Sequence, residues 1–184
     1  VLIGRDLARL QGVKQQVESL GTRAVAGTHL QDIRRADIVL SMTSSTVPII
    51  RSDLLKPGAV VCDVSRPRSV SRHVTRERHD VLVIEGGVVR VPGQVDFGFD
   101  FGFPPGQAYA CMAETMILAM EGRYECYSLG RELSLDRVEE IAGLAQKHGF
   151  RLAGFRSFER VLEDREIDRI RENAYARRRS VEPA

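Results

Sequence analysis

A chain of 184 residues with 43% apolar and 28% charged residues is long enough to bury a core and too apolar to be disordered throughout. Its 27 basic and 25 acidic side chains leave a net charge of +2, so no nucleic-acid partner is expected and any basic site must be local. Cys62, Cys111 and Cys126 lack C-x-x-C spacing, which argues against a disulfide framework or a structural zinc site and makes a reducing cytoplasm the simplest compartment.

No run approaches the roughly 18 apolar residues of a membrane span, so no integral membrane segment is expected. The start Val1-Leu2-Ile3-Gly4-Arg5-Asp6 is no secretory signal and reads as the middle of a longer product.

In chain order, Val1-Leu2-Ile3 predicts a strand and residues 7–20 a helix closed by Gly21. A weaker strand is expected at 23–26, a firm one at 36–41, a helix over 47–55, a turn at Lys56-Pro57-Gly58, and strands at 59–64 and 81–85. Short β-branched runs separated by longer amphipathic stretches imply a parallel sheet covered by helices. From Gly86 to Gly106 the Gly and Pro content predicts a long irregular loop. Residues 107–121 then read as a helix with Met112, Met116, Ile117 and Met120 toward the core. A further helix over 135–148 has Ser134 as N-cap, Val138, Ile141, Ala142 and Ala145 on one face, and Gly149 as terminator. The charged tail from Glu159 predicts a solvated helix that frays.

A Rossmann domain opens with a strand, a G-x-G-x-x-G turn and a helix whose first amides hold pyrophosphate; none of these is in the chain. If Val1-Leu2-Ile3 is the second strand of such a domain, Gly4, Arg5 and Asp6 fall where the cofactor ribose is read. Arg5 favours the 2′-phosphate of NADP, Asp6 keeps NAD open, and a surface Arg at a strand end is the competing reading. Met42, Thr43 and Ser44 follow a strand, where amides and hydroxyls could hold ribose or phosphate; a helix N-cap at Ser45 or Thr46 competes. Arg66 and Arg68 stand at another strand end and could meet an anion, although solvated loop cations are the simpler reading. Cys111 lies close to a helix start, where backbone amides favour a thiolate, and shares a face with Glu114, Thr115 and Leu118. For a lone cysteine the default is a buried structural residue, which Cys62 and Cys126 are expected to fit. Glu114 reads as an ion-pair or cap partner. His29, His73, His79 and His148 have no metal-ligand spacing, so no metal is expected.

Val83-Ile84-Glu85-Gly86-Gly87-Val88-Val89, Ala110-Cys111-Met112-Ala113-Glu114 with Glu121-Gly122, Ser128-Leu129-Gly130-Arg131 and Lys147-His148-Gly149-Phe150 resemble segments of the long-chain acyl-(acyl-carrier-protein) reductases, which form fatty aldehydes from acyl thioesters. The resemblance runs from about Val1 to Phe150. It implies that Gly86 and Gly87 form the turn after the last Rossmann strand, beside the cofactor, and that Cys111 is the nucleophile that accepts the acyl group.

The expected fold is therefore α/β: a Rossmann-type doubly wound parallel sheet lacking its first strand and glycine loop, followed by C-terminal helices. Residues 1–90 would be a partial NAD(P)-binding domain, 91–158 the loop and helices carrying the nucleophile, and 159–184 a charged tail. The expected reaction is NADPH-dependent reduction of an acyl thioester through a Cys111 acyl-enzyme. Acyl carrier protein or acyl-CoA would be the donor, and an aldehyde-consuming enzyme a further partner. This piece alone is expected to be inactive. The alternatives are an NADP-dependent dehydrogenase of the shikimate dehydrogenase or glutamyl-tRNA reductase type, and a nucleotide-binding domain without chemistry.

Overall fold

Leu2–Ile3 form β1, and the chain turns at Gly4-Arg5 into α1 (Leu7–Ser19). Asp6 fixes the helix start by accepting the Arg9 amide at 3.0 Å, and Gly21, at φ +85°, closes it in a conformation that side chains resist. β2 (Ala26–Gly27) returns parallel to β1, with Leu2 opposite Ala26, so the weak strand expected at 23–26 lies slightly later. The computed structural model describes residues 1–100, 102–130, 133–158 and 160–181. Phe101 of the expected loop, Arg131 of the Ser-Leu-Gly-Arg motif, and Glu159 and residues 182–184 of the tail lie outside them.

After a 3-10 turn at Leu30–Arg35 come β3 (Ile38–Ser41), β4 (Val60–Asp63), α2 (Arg72–Glu77) and β5 (Leu82–Glu85), with sheet order β3-β4-β5. β3 and β4 are parallel, Val39 opposite Val61 and Ser41 opposite Asp63. Because side chains alternate along a strand, Val39, Val61 and Val83 share the face that is buried, as are Ile50, Leu54, Val70 and Val74 nearby in the chain. Each such burial contributes roughly 1.5–3 kcal/mol. The opposite face is open at β3, where Ile38 is 72% and Leu40 57% exposed, unlike the two covered faces expected of a parallel sheet.

Two further expectations fail in this stretch. Residues 47–55 do not form a helix: the chain bends at Val47, the amides of Ile49 and Ile50 donate to the Ser69 carbonyl, Ile50 makes a parallel bridge to Val70, and only Ser52–Leu54 makes a 3-10 turn. Proline and β-branched side chains favour that choice. Ser45 consequently caps no helix; its hydroxyl donates to the Val47 carbonyl at 2.7 Å.

The expected long loop is interrupted by β6 (Val88–Arg90), which pairs with β7 (Gln107–Tyr109). The helix expected from residue 107 therefore begins later, as α3 (Ala110–Met120), because the first residues of that stretch are engaged in an antiparallel ladder. Between the strands Asp96 and Asp100 accept the amides of Gly98 and Gly102 at 2.8 and 2.6 Å, turning the chain twice. α4 (Leu135–Lys147) follows with Ser134 accepting the Arg137 amide as N-cap, and then come β8 (Arg151–Leu152), which pairs with β6, β9 (Arg156–Ser157) and β10 (Arg160–Val161). The core here joins Val91, Ala108, Ala113, Ile117 and Phe150, with Met112, Met116, Ile141, Leu144 and Ala145 against it. Met120, Val138 and Ala142, expected on core faces, are exposed. The buried stripe of α3 is centred on Ala113 and Ile117, and that of α4 on Ile141, Leu144 and Ala145.

The charged tail forms α5 (Asp164–Val181). The chain divides into two units, Val1–Ile84 with Asp164–Ala184, and Glu85–Glu163. Within the first unit α5 is held by Asn173 on the His79 carbonyl at 3.1 Å, Arg177 on Asp80 at 3.3 Å and Arg178 on the Pro57 carbonyl at 3.0 Å. No helix among the described residues is long and apolar enough to cross a membrane.

Candidate functional site

β7 delivers the chain directly into α3, and the junction is tied to the Gly86-Gly87 turn: the Ala110 amide donates to the Gly87 carbonyl at 2.8 Å, with Gly87 at φ +86°. A side chain at Gly87 would strain that turn. Tyr109 occupies the N-cap without a side-chain hydrogen bond to the helix, and no acidic residue lies in the first turn. The first amide of α3 is thus satisfied by a backbone carbonyl, and the helix start carries neither a capping side chain nor an acidic residue against its dipole. Cys111 is the second residue of this helix and is exposed, so the default of a buried structural cysteine does not hold for it.

A second stripe of α3 carries Cys111, Glu114 and Thr115. Thr115 donates its hydroxyl to the Cys111 carbonyl at 3.2 Å. Glu114, half-buried, accepts the Ser128 hydroxyl at 2.6 Å; the ion-pair or cap role expected for it is filled by a neutral donor. Ser128 follows Tyr127, which is buried and donates its hydroxyl to Glu140 at 2.5 Å, while Arg137 donates to the Tyr127 carbonyl. Burial and the Glu140 carboxylate push the Tyr127 phenol up. Arg123 pairs with Glu125 and Glu140, and Glu121 with Lys147 and His148, whose hydrogen bonds hold the Glu121 carboxyl below its ordinary value. On the other side of the junction Tyr109 meets Phe103 edge-on at 4.8 Å, and the Arg156 guanidinium lies 5.2 Å from the Phe103 ring. Gln107 is buried, and its Oε1 has no hydrogen-bond partner among the described residues.

The other sequence-predicted positions lie in the first unit. Gly4 sits at the end of β1, where an added Cβ would touch Leu10 at 3.4 Å. Arg5 is exposed, and Asp6 is engaged as the α1 cap. Met42 and Ser44 are exposed at the end of β3; the Thr43 amide donates to Ser65 Oγ at 3.0 Å and Thr43 Oγ1 accepts the Ser45 amide at 3.2 Å. Arg66 donates to the Ser65 carbonyl at 2.9 Å. Of the predicted site residues the structure therefore brings Gly86, Gly87 and Cys111 to one helix start. For a dinucleotide the fit of these residues is partial: Arg5 offers an exposed guanidinium beside a strand end, but the described residues include no glycine-rich turn to cradle a diphosphate.

Sequence reasoning missed the carboxylate at the end of β4. Asp63 is buried and accepts the amides of Ser65, Ser69 and Val70 at 3.0, 2.8 and 3.0 Å and the Ser69 hydroxyl at 3.0 Å. Ser41 Oγ and Ser69 Oγ are 2.7 Å apart, so β3, β4 and the following loop are locked together. The available signal was an Asp ending an apolar strand and followed by Ser65 and Ser69. Cys62, beside it, is half-buried, and burial with the Asp63 charge pushes its thiol up, whereas Cys126 is exposed, against the expectation of burial, because it lies in the loop between α3 and α4. Among the described residues no group of three or more His, Cys, Asp or Glu could hold a metal ion.

No family model matches the chain. It is 42% identical over 117 residues to aminotransferase PigE of Serratia sp., a match covering 62% of this chain and 14% of that protein. It is 30% identical over 107 residues to the long-chain acyl-(acyl-carrier-protein) reductase of Synechococcus elongatus, covering 55% of this chain and 31% of that protein. The chain is thus similar to a minor part of each of these two longer proteins.

Proposed function

We propose that the protein reduces a long-chain acyl thioester, carried on acyl carrier protein or coenzyme A, to a fatty aldehyde with NADPH, and that Cys111 holds the acyl group between the two half-reactions. The observation that carries this reading is an exposed thiol in the first turn of a helix that has no side-chain cap and whose first amide is tied to a Gly-Gly turn. The partial similarity to a long-chain acyl-(acyl-carrier-protein) reductase supports it.

The Cys111 thiolate attacks the acyl carbonyl carbon, the carrier thiol leaves, and the acyl group stays on Sγ as a thioester of similar energy. NADPH, when bound, supplies the hydride. The first unit would hold it, with Arg5 toward the 2′-phosphate and Gly4, Met42, Thr43 and Ser44 toward the nucleotide. A Rossmann-type sheet is supported by the parallel β1-α1-β2 unit and the parallel β3-β4 pair. In the doubly wound order, one further parallel strand between β1 and β3 would join the two sheets.

The test is turnover in the complete protein. Aldehyde should form from acyl thioester and NADPH with ping-pong kinetics, and Cys111→Ser should abolish it, because a hydroxyl is far less ionised near neutral pH. Undiminished aldehyde formation by that variant would refute the proposal.

A further inference from the structure

Cys111, Glu114, Thr115 and Leu118 share one stripe of α3, and their environments sort their roles. Leu118 is buried and the Thr115 hydroxyl is turned onto the backbone, which leaves Glu114 as the titratable neighbour of the thiol on that stripe. Residues three apart on a helix have Cβ atoms about 5–6 Å from each other, within reach of a Glu side chain. The surrounding acids differ from Glu114 in their partners. Glu121 is held by the cation Lys147 and by a hydrogen bond with His148, and Glu125 and Glu140 by the cation Arg123, and such cations resist protonation of a carboxylate. The hydrogen bond on Glu114 comes from a neutral hydroxyl, that of Ser128, itself placed by the buried Tyr127. Such a carboxylate can accept and return a proton without breaking an ion pair.

We infer that Glu114, oriented by Ser128, is the proton-transfer group for Cys111; the inference rests on the acyl-enzyme reading. The Cys111 thiol proton passes to Glu114 Oε2 as the Sγ–C bond forms. The carrier's C–S bond then breaks, and its sulfur takes that proton from Glu114 and leaves as a thiol. The exchange is isohydric and involves no change of oxidation state. Solvent can also remove the Cys111 proton ahead of attack; Glu114 then takes a proton from solvent in its place and delivers it to the leaving sulfur, so that protonation is the part of the step that continues to need Glu114.

The test compares acyl transfer to Cys111, followed by intact mass, from two donors with the same acyl chain: acyl-CoA, whose alkyl thiol leaves best when protonated, and a thiophenyl ester, whose aryl thiolate leaves unaided. Glu114→Gln keeps an oxygen to accept the Ser128 hydroxyl. It should slow acylation by acyl-CoA about 100-fold and leave the thiophenyl ester nearly unaffected, which also shows that the variant folds. Ser128→Ala should slow the acyl-CoA reaction alone, by a smaller factor. Equal slowing of both donors would reduce Glu114 to a structural role, and no slowing of either would remove it from the chemistry. If the unsubstituted protein gains no acyl group on Cys111 from either donor, the acyl-enzyme reading itself falls, and this inference with it.

Discussion

Two carboxylates of the first unit are enclosed: Asp63, at the end of β4, is buried under amides and a serine hydroxyl, and Asp80, just before β5, forms two bonds to Arg78 at 2.8 and 2.9 Å. At the helix start of the second unit the thiol is exposed and the cap position makes no side-chain bond. Polar groups satisfied inside a fold specify that fold, whereas a reactive side chain left open at a helix start is available to a substrate. The contrast predicts that changes at the enclosed carboxylates are felt as stability and changes at the helix start as chemistry.

The largest stability effect should follow loss of Asp80. Arg78 is buried and also donates to the carbonyls of Ser52 and Leu55 at 2.8 and 2.5 Å, so Asp80→Ala strands its charge and should cost about 3–5 kcal/mol in urea denaturation. Burial works to raise the Asp80 pKa, but the hydrogen bonds and charge of Arg78, with Arg177, bring it below its ordinary value. A carboxylate depressed in the fold contributes its stability in full above the unfolded value near 4 and loses it as pH falls through the folded one. Acid titration of the unfolding midpoint should therefore show a loss below about pH 4 that Asp80→Ala no longer shows. A smaller effect is expected at Gly58, which has φ +76° and where a Cβ would lie 3.1 Å from Ala174 Cβ and 3.0 Å from Arg178 Nη2. Gly58→Ala should destabilise by about 1–3 kcal/mol in a thermal melt, through backbone strain and displacement of α5. A neutral outcome would mean that α5 is not fixed on that turn.

What the sequence made legible was periodic and local. The apolar β-branched runs in 36–41, 59–64 and 81–85 and the signals Gly21, Ser134 and Gly149 gave elements close to those observed, because caps and short-range composition act within a few residues. What failed depended on partners distant in the chain. Residues 107–109 are compatible with a helix, yet their backbone is taken by β6; in 47–50 the proline and β-branched side chains already disfavour one, and the segment next to Val70 completes the bridge at Ile50. The open face of β3 and the anchoring of α5 by Asp80 and Pro57 are likewise tertiary facts without a local signature. At the site, the position of Cys111 near a helix start followed from its neighbours, whereas the Glu114–Ser128 contact joins residues fourteen apart and had no spacing to announce it.

The most direct measurement concerns Cys111 against Cys126, two exposed thiols of which only the first stands at a helix start. Incubating the protein with long-chain acyl-CoA in the absence of NADPH and mapping the modified peptide should place one acyl group on Cys111. Cys126 and the half-buried Cys62 should stay unmodified. Acyl mass on Cys126, equal labelling of both exposed thiols, or undiminished acylation of a Cys111→Ser variant would contradict the account.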